Sequence, residues 1–167
     1  IHACTFEENT AAGDGAAILV RGAAARLTEC TFTSNEGAFH GGAVSVRSGV
    51  VSIERCDLTS NTAVLGGALH NVAAEITITR SRFVGNHGEG GGAVWNRGVL
   101  QIDSALFDAN ATALHPKSCD LTECSGGALW NGAGGVATLV NCTLVDSFVT
   151  TIKSAGGVTL TNCIVWG

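Results

Sequence analysis

The sequence predicts an all-β chain wound into a parallel β-helix (β-solenoid) of about six to seven coils. Three observations carry that expectation. The first is a recurring block: "CTFEEN" from Cys4, "CTFTSN" from Cys30, "CDLTSN" from Cys56, "SRFVGN" from Ser81 and "ALFDAN" from Ala105. It places asparagines at 9, 35, 61, 86 and 110, in steps of 26, 26, 25 and 24. The second is a glycine block that follows each of these: "GGAVSV" from Gly41, "GGALHN" from Gly66, "GGAVWN" from Gly91 and "GGALWN" from Gly126, with "DGAAIL" from Asp14 as a degenerate first copy. The third is an alternating run before the Cys-type position. Val51 and Ile53, Ile76 and Ile78, Leu100 and Ile102, Ala137 and Leu139, and Val158 and Leu160 flank Ser52, Thr77, Gln101, Thr138 and Thr159. That is the period of a half-buried strand, and no window carries the 3.6-residue apolar stripe of a helix.

A period of about 25 residues with two or three short strands per unit stacks equivalent positions at the strand spacing of ~4.8 Å, so columns can be read from the sequence. Cys4, Cys30, Cys56, Ser81, Ala105, Cys142 and Cys163 form a small-residue column. It lies beside an apolar one of Phe6, Phe32, Leu58, Phe83, Phe107, Leu144 and Val165. Cysteine there acts as a small hydrophobe, and parallel Cβ vectors are poorly aimed for bridging, so these are expected as buried free thiols. Asn9, Asn35, Asn61, Asn86 and Asn110 form a carboxamide ladder at a turn, where asparagine also tolerates left-handed backbone. A second column, Asn71, Asn96 and Asn131, closes the glycine-block strand. The glycine pairs serve positive φ or close approach to the next coil.

Those glycines also answer a competing motif. Gly88, Gly90 and Ala93 match G-x-G-x-x-A, but a dinucleotide loop opens a helix and stands alone, whereas Val94-Trp95-Asn96 continues as strand and "GGA" returns in every coil.

Composition agrees with a well-buried β chain. The 167 residues are 46% apolar and only 14% charged, with 23 glycines, one proline and neither Tyr nor Met. The formal charge of −5 comes from scattered acids, which leaves no basic stripe for nucleic acid. No apolar run is long enough for a membrane span. Residues 1–167 read as a single β-helix domain that opens and closes in mid-strand, an excerpt of a longer chain. The coil pattern widens once: 17 steps separate Asn110 from Gly127, against 6 from Asn61 to Gly67, which places an inserted loop at about 111–125. The last coil, after Cys142, lacks both signature blocks.

The alternation of F-x-x-N ("FEEN", "FTSN", "FVGN", "FDAN", with "LTSN" as a near match) and G-G-A-[ILV] resembles the tandem repeats of the chlamydial polymorphic membrane proteins (Pmp) over about residues 1–131. The resemblance implies a right-handed parallel β-helix and a passenger of surface autotransporters that works in adhesion.

Several residue sets offer candidate chemistry. Cys119 and Cys124 flank the inserted loop as C-x4-C, a candidate disulfide in an extracellular protein. With His115 they could offer three zinc ligands, but the spacing is no zinc signature, and no metal or cofactor is expected. His2, His40, His70 and His87 share no ligand spacing and read as solvated or turn-lining. Glu54 and Asp103 share an outward column two coils apart, within reach of an inverting glycosidase pair, but Thr79 stands between them and no further acid or base converges. No catalytic residue is assigned. Glu29, Arg55 and Arg80 beside them read as cross-coil ion pairs.

Ser45, His70, Trp95 and Trp130 form another outward column, and His70, Trp95 and Trp130 are the candidate ligand-binding residues. Exposed stacked aromatics suit sugar rings or a protein partner; the alternative is a column covered by the inserted loop. Paired threonines at 77 and 79 and at 159 and 161 are interrupted by Glu54, Gln101 and Asp103, too irregular for an ice-binding array. Asn110 and Asn141 begin N-x-T sequons; Asn110 belongs to the ladder, leaving Asn141 as the candidate glycosylation site.

The expected function is that of an extracellular or cell-surface structural or adhesive module without catalysis. Its partners would be a protein or glycan at a cell surface, or neighbouring copies of itself, with no nucleic acid. A filament subunit and a polysaccharide lyase- or hydrolase-like enzyme are the alternatives.

Overall fold

The computed structural model describes residues 1–112, 125–147 and 150–166. Every strand pair in them is parallel, and the chain winds about six turns as a β-helix with three faces. The first face is a seven-stranded sheet running Thr5–Glu7, Thr31–Thr33, Asp57–Thr59, Arg82–Val84, Leu106–Asp108, Thr143–Val145 and Ile164–Val165. The second, long face holds ten strands. In the first two coils it is one continuous strand per coil, Ile18–Thr28 and Val44–Glu54. Later coils break it into two, as in Val94–Asn96 followed by Val99–Asp103. The third face is narrow, with Thr10–Ala11 beside Glu36–Gly37 and His87–Gly88 beside Ala111–Thr112; single bridges through Thr62 join the two pairs.

The repeat fixes the register because each coil must bury the same side chains. Phe6 pairs with Phe32, Phe32 with Leu58, Leu58 with Phe83, Phe83 with Phe107 and Phe107 with Leu144. The rings of Phe6 and Phe32 stack at 4.9 Å and those of Phe83 and Phe107 at 4.8 Å. Leu27, Ile53, Ile78, Ile102 and Leu139 close the core from the long face, all essentially without solvent contact. Each such side chain contributes roughly 1.5–3 kcal/mol through burial.

Three corners turn each coil, and each has its own backbone device. Before the Cys column, Glu29, Arg55, Arg80, Ser104, Asn141 and Asn162 are left-handed, with φ between 50° and 57°. Such a backbone costs a non-glycine residue ~1–2 kcal/mol. A local bond offsets it: the side chain of the next residue donates to the carbonyl two positions back. Cys30 Sγ donates to Thr28 O at 3.3 Å, Ser81 Oγ to Thr79 O at 3.0 Å and Cys142 Sγ to Val140 O at 3.2 Å. The column therefore takes Cys or Ser as the donor, and Ala105 shows that the corner also forms without one, so the thiols are corner fasteners as well as small apolar groups. Cys30, Cys56 and Cys142 are buried and free, and burial raises the thiol pKa of Cys56 and Cys142; Cys4 and Cys163, expected as buried, are free but exposed and half-buried because they lie in the terminal coils.

At the second corner the left-handed residue is not the ladder asparagine but the one before it: Glu8, Ser34, Ser60, Gly85, Ala109 and Asp146. The asparagines keep negative φ, and their carboxamides do the work instead. Asn35 Nδ2 donates to Asn61 Oδ1 at 2.9 Å, Asn61 Nδ2 to Asn86 Oδ1 at 3.0 Å and Asn86 Nδ2 to Asn110 Oδ1 at 3.0 Å. The same amides also donate to main-chain carbonyls of the preceding coil, as from Asn86 to Leu58 O at 2.8 Å. Ser147 takes the ladder position in the next coil; its hydroxyl is buried without a partner.

The glycine pair divides the tasks at the third corner. The first member has positive φ, as at Gly66 (64°) and Gly91 (62°). The second admits no Cβ: at Gly67 it would lie 2.2 Å from Gly92 O and 2.4 Å from His87 O. In the first coil Gly15, not Asp14, stands in the column of Gly41; Asp14 belongs with His40, because Gly15 N bonds His40 O and Ile18 pairs with Val44. The second asparagine column marks where the long strand breaks. Asn71 Oδ1 accepts from Ala74 N at 2.9 Å, and Asn71 and Asn96 donate to the next rung at 2.8 and 2.7 Å. Coils with Val20 and Val46 at that position run straight on.

Candidate functional site

Two regions outside the core bring together side chains with chemistry. The first is the aromatic column. Ser45, His70, Trp95, Trp130 and Lys153 follow one another in register across the short strands of the long face. His70 stacks on Trp95 at 4.5 Å and Trp95 on Trp130 at 4.9 Å. Ser45 is too small to continue the stack, and His40, reaching in from the glycine corner, takes the place above it at 4.4 Å from His70. Rings that lie flat on one another hide their faces, and Leu65 joins the two tryptophans in one buried cluster while the Arg97 guanidinium sits 5.1 Å from the Trp95 ring centroid.

His70, Trp95 and Trp130 are each only 3% exposed. Of the two readings of the column, exposed or covered, the structure shows the covered one. The reading of His70 as solvated or turn-lining is corrected, whereas His40 does line the glycine corner, with 32% of its side chain exposed. Burial, together with the nearby charge of His40, lowers the His70 pKa to about 3, so the ring is neutral in the fold. The indole N–H of Trp95 is buried without a hydrogen-bond partner.

One end of the column carries a charged cluster that sequence reasoning missed. His40 Nδ1 lies 2.6 Å from Asp14 Oδ1, and Arg47 donates through Nε to Asp14 Oδ2 at 3.0 Å. Burial opposes ionisation of Asp14, but the bonds from His40 and Arg47 outweigh it and hold the carboxyl below its ordinary pKa. The available signal was the coil period itself, since Asp14 and His40 each precede the positive-φ glycine of their coil, Gly15 and Gly41.

The second region is the outer surface of the long face. Glu54 and Asp103 stand in one column with Thr79 between them. Their surroundings differ sharply. Glu54 receives Arg80 at 2.6 Å, Arg55 at 2.6 Å and Arg26 at 3.0 Å, with Arg55 also holding Glu29 at 2.8 Å. The hydrogen bond from Arg80, reinforced by the other arginines against desolvation, holds the Glu54 carboxyl below its usual range. It is an ionised group with no proton to give. Asp103 has no arginine; its Oδ1 accepts from Ser104 Oγ at 3.0 Å and Asn141 Nδ2 at 3.1 Å.

Beside Asp103 runs a groove of about 360 Å³ between Thr77, Gln101, Thr138, Val140 and Asn141. Asn141 is exposed, left-handed and bonded on both sides, accepting from Asn162 Nδ2 at 2.6 Å. Asn110, the other sequon asparagine, is fully buried. The candidate disulfide of Cys119 and Cys124, and His115, lie outside the described residues, as does most of the inserted segment. Its flanks are described: Thr112 ends a strand and Ser125 rejoins the stack at Gly90.

Among the described residues no helix is long and apolar enough to cross a membrane. Comparison with family models matches residues 3–21 to the Chlamydia polymorphic membrane protein (Chlamydia_PMP) repeat. The first coil of this β-helix carries a Pmp-type repeat. The matched segment holds one F-x-x-N block, "FEEN", and the degenerate glycine block, so the Pmp-type repeat coincides with the first coil's Phe-face strand, Asn corner and Gly corner. No curated protein matches the chain.

Proposed function

We propose that the chain is a non-catalytic module of an extracellular or cell-surface protein, an adhesive rod that holds a binding face away from its point of attachment. The observation that carries this reading is where the polar groups of the repeat are used. Asn35, Asn61, Asn86, Asn71 and Asn96 are fully buried and spent on holding coil to coil. The outward acid best placed for catalysis, Glu54, is neutralised by three arginines. A scaffold of this kind presents a rigid, regularly spaced surface, and the Pmp-type repeat supports a surface protein. The partner is a protein or a glycan at a cell surface.

Beads coated with the chain test the reading. They should bind cultured epithelial cells above beads coated with a β-helix of unrelated sequence, and soluble chain should compete; binding no greater than the control would overturn it. Turnover of a polysaccharide abolished by Glu54→Gln or Asp103→Asn would replace it with the enzyme alternative.

A further inference from the structure

We infer that the groove on the long face, across Thr77, Gln101, Asp103, Thr138 and Asn141, is a binding site for an uncharged saccharide. The inference deepens the adhesive reading and rests on it for the source of the ligand.

The lining exposes more apolar than polar surface, and the polar side chains set into it have hydrogen-bonding capacity unspent. Gln101 pairs with Thr77 on one side and Thr138 on the other through the backbone ladder, so a carboxamide stands between two hydroxyls in one column. None of these three side chains has a hydrogen-bond partner among the described residues. Asp103 stands in the adjacent column, two residues along the strand; its Oδ1 is oriented by Ser104 and Asn141, while Oδ2 has no donor among the described residues. Columns separated by ~7 Å along the strand and ~4.8 Å between coils set donors and acceptors at the spacing of a small polyol rather than of a single ion. Val140, half-buried in the same wall, offers an apolar surface for the C–H face of a sugar ring. The volume of about 360 Å³ lies at the low end of ligand sites and suits a short oligosaccharide.

Charge decides which saccharide. The one ionisable group in the lining is a carboxylate and no lysine or arginine lines the groove, so sulfated or uronic-acid chains are repelled. Arg80 stands on the coil next to Asp103, its backbone N–H on Asp103 O, but its guanidinium is turned to Glu54, which Arg26 also engages. A peptide fits less well. The strand under the groove, Val99–Asp103, is already paired on both sides, which leaves no edge for strand addition.

Saturation-transfer NMR on the whole chain tests the site with N-acetyllactosamine, mannotriose, chitotriose and maltotriose as uncharged probes and a heparin tetrasaccharide as the charged one. The expected result is transfer to at least one uncharged probe and none to heparin, with affinity reduced about tenfold by Gln101→Ala and by Asp103→Ala. Both substitutions are on the outer surface and should leave the thermal midpoint unchanged. No transfer to any uncharged probe, transfer to heparin instead, or binding indifferent to both substitutions overturns the proposal. The same variants on beads separate it from the adhesive reading. Cell binding that persists in Gln101→Ala without any saccharide signal sinks the groove alone. A saccharide signal that both variants abolish, with no cell binding by the parent chain, sinks adhesion and leaves the groove standing.

Discussion

The backbone N–H of Asn61 and its side-chain Nδ2 converge on one atom, Oδ1 of Asn86, at 2.9 and 3.0 Å. Asn86 in turn donates to Leu58 O and to Asn110 Oδ1. Truncation by Asn86→Ala therefore strands several buried groups at once, each costing ~1–3 kcal/mol. Urea denaturation should show a loss of at least ~3 kcal/mol. Asn9 makes the same type of bond to Asn35 but is exposed, so Asn9→Ala should cost under ~1 kcal/mol. Equal losses at the two sites would refute the ladder's weight in stability.

Two glycines separate strain from clash. Gly67→Ala drives a methyl into the carbonyls of Gly92 and His87, which are backbone and cannot swing away. The variant should fail to fold or lose well over ~3 kcal/mol. Gly85 has φ of 61°, but a Cβ there meets only Ser60 Oγ at 3.7 Å. Gly85→Ala should cost ~1–2 kcal/mol, the left-handed penalty alone. Thermal melts of the two proteins distinguish the cases.

His70 makes the fold sensitive to acid. Its folded pKa of about 3 lies below the ordinary 6.5, so the unfolded chain takes up a proton that the native chain refuses. Stability tied to this residue is complete above pH ~6.5 and declines as the pH falls towards ~3, by roughly 3 kcal/mol at pH ~4.5. His70→Phe, which keeps a ring in the stack, should show a flatter dependence of urea midpoint on pH between ~6.5 and ~4. A parallel slope in the two proteins would show that the ring is protonated without cost.

Trp95 sits between two stacked rings, so its loss opens a cavity. Trp95→Ala should lower stability by ~3–5 kcal/mol, with Trp95→Phe intermediate. An unchanged denaturation midpoint in Trp95→Ala would mean that the column is not the packed element described above.

The sequence announced its register clearly and its corners less so. Alternation and the F-x-x-N spacing placed Phe32 over Leu58 and Gln101 between Thr77 and Thr138, because a period-2 strand has only one way to bury its apolar set. The left-handed residues left no such mark, since Glu, Ser, Ala and Asp all occupy that corner and the backbone is held by the neighbouring rung. The aromatic column was placed correctly, and its exposure was left open between an exposed and a covered face. Alternation says which way a side chain leaves the sheet but not that a ring will lie flat, nor that His40 will cross from another corner to fill the space above Ser45. The groove at Gln101 was hidden for a related reason. Asp103 and Glu54 look alike in the column, and only the arginines around Glu54 separate a silenced carboxylate from a free one.

Each ladder carboxamide gives to the coil after it and receives from the coil before it, so Asn61 and Asn86 present identical terms to their neighbours. Excising residues 61–85 would hand Asn35 directly to Asn86 and Leu58 directly to Phe107, with no interior group left over. The length of the rod is accordingly free to change by duplication or loss of whole coils, and reach becomes a property that a lineage can adjust without redesigning a core.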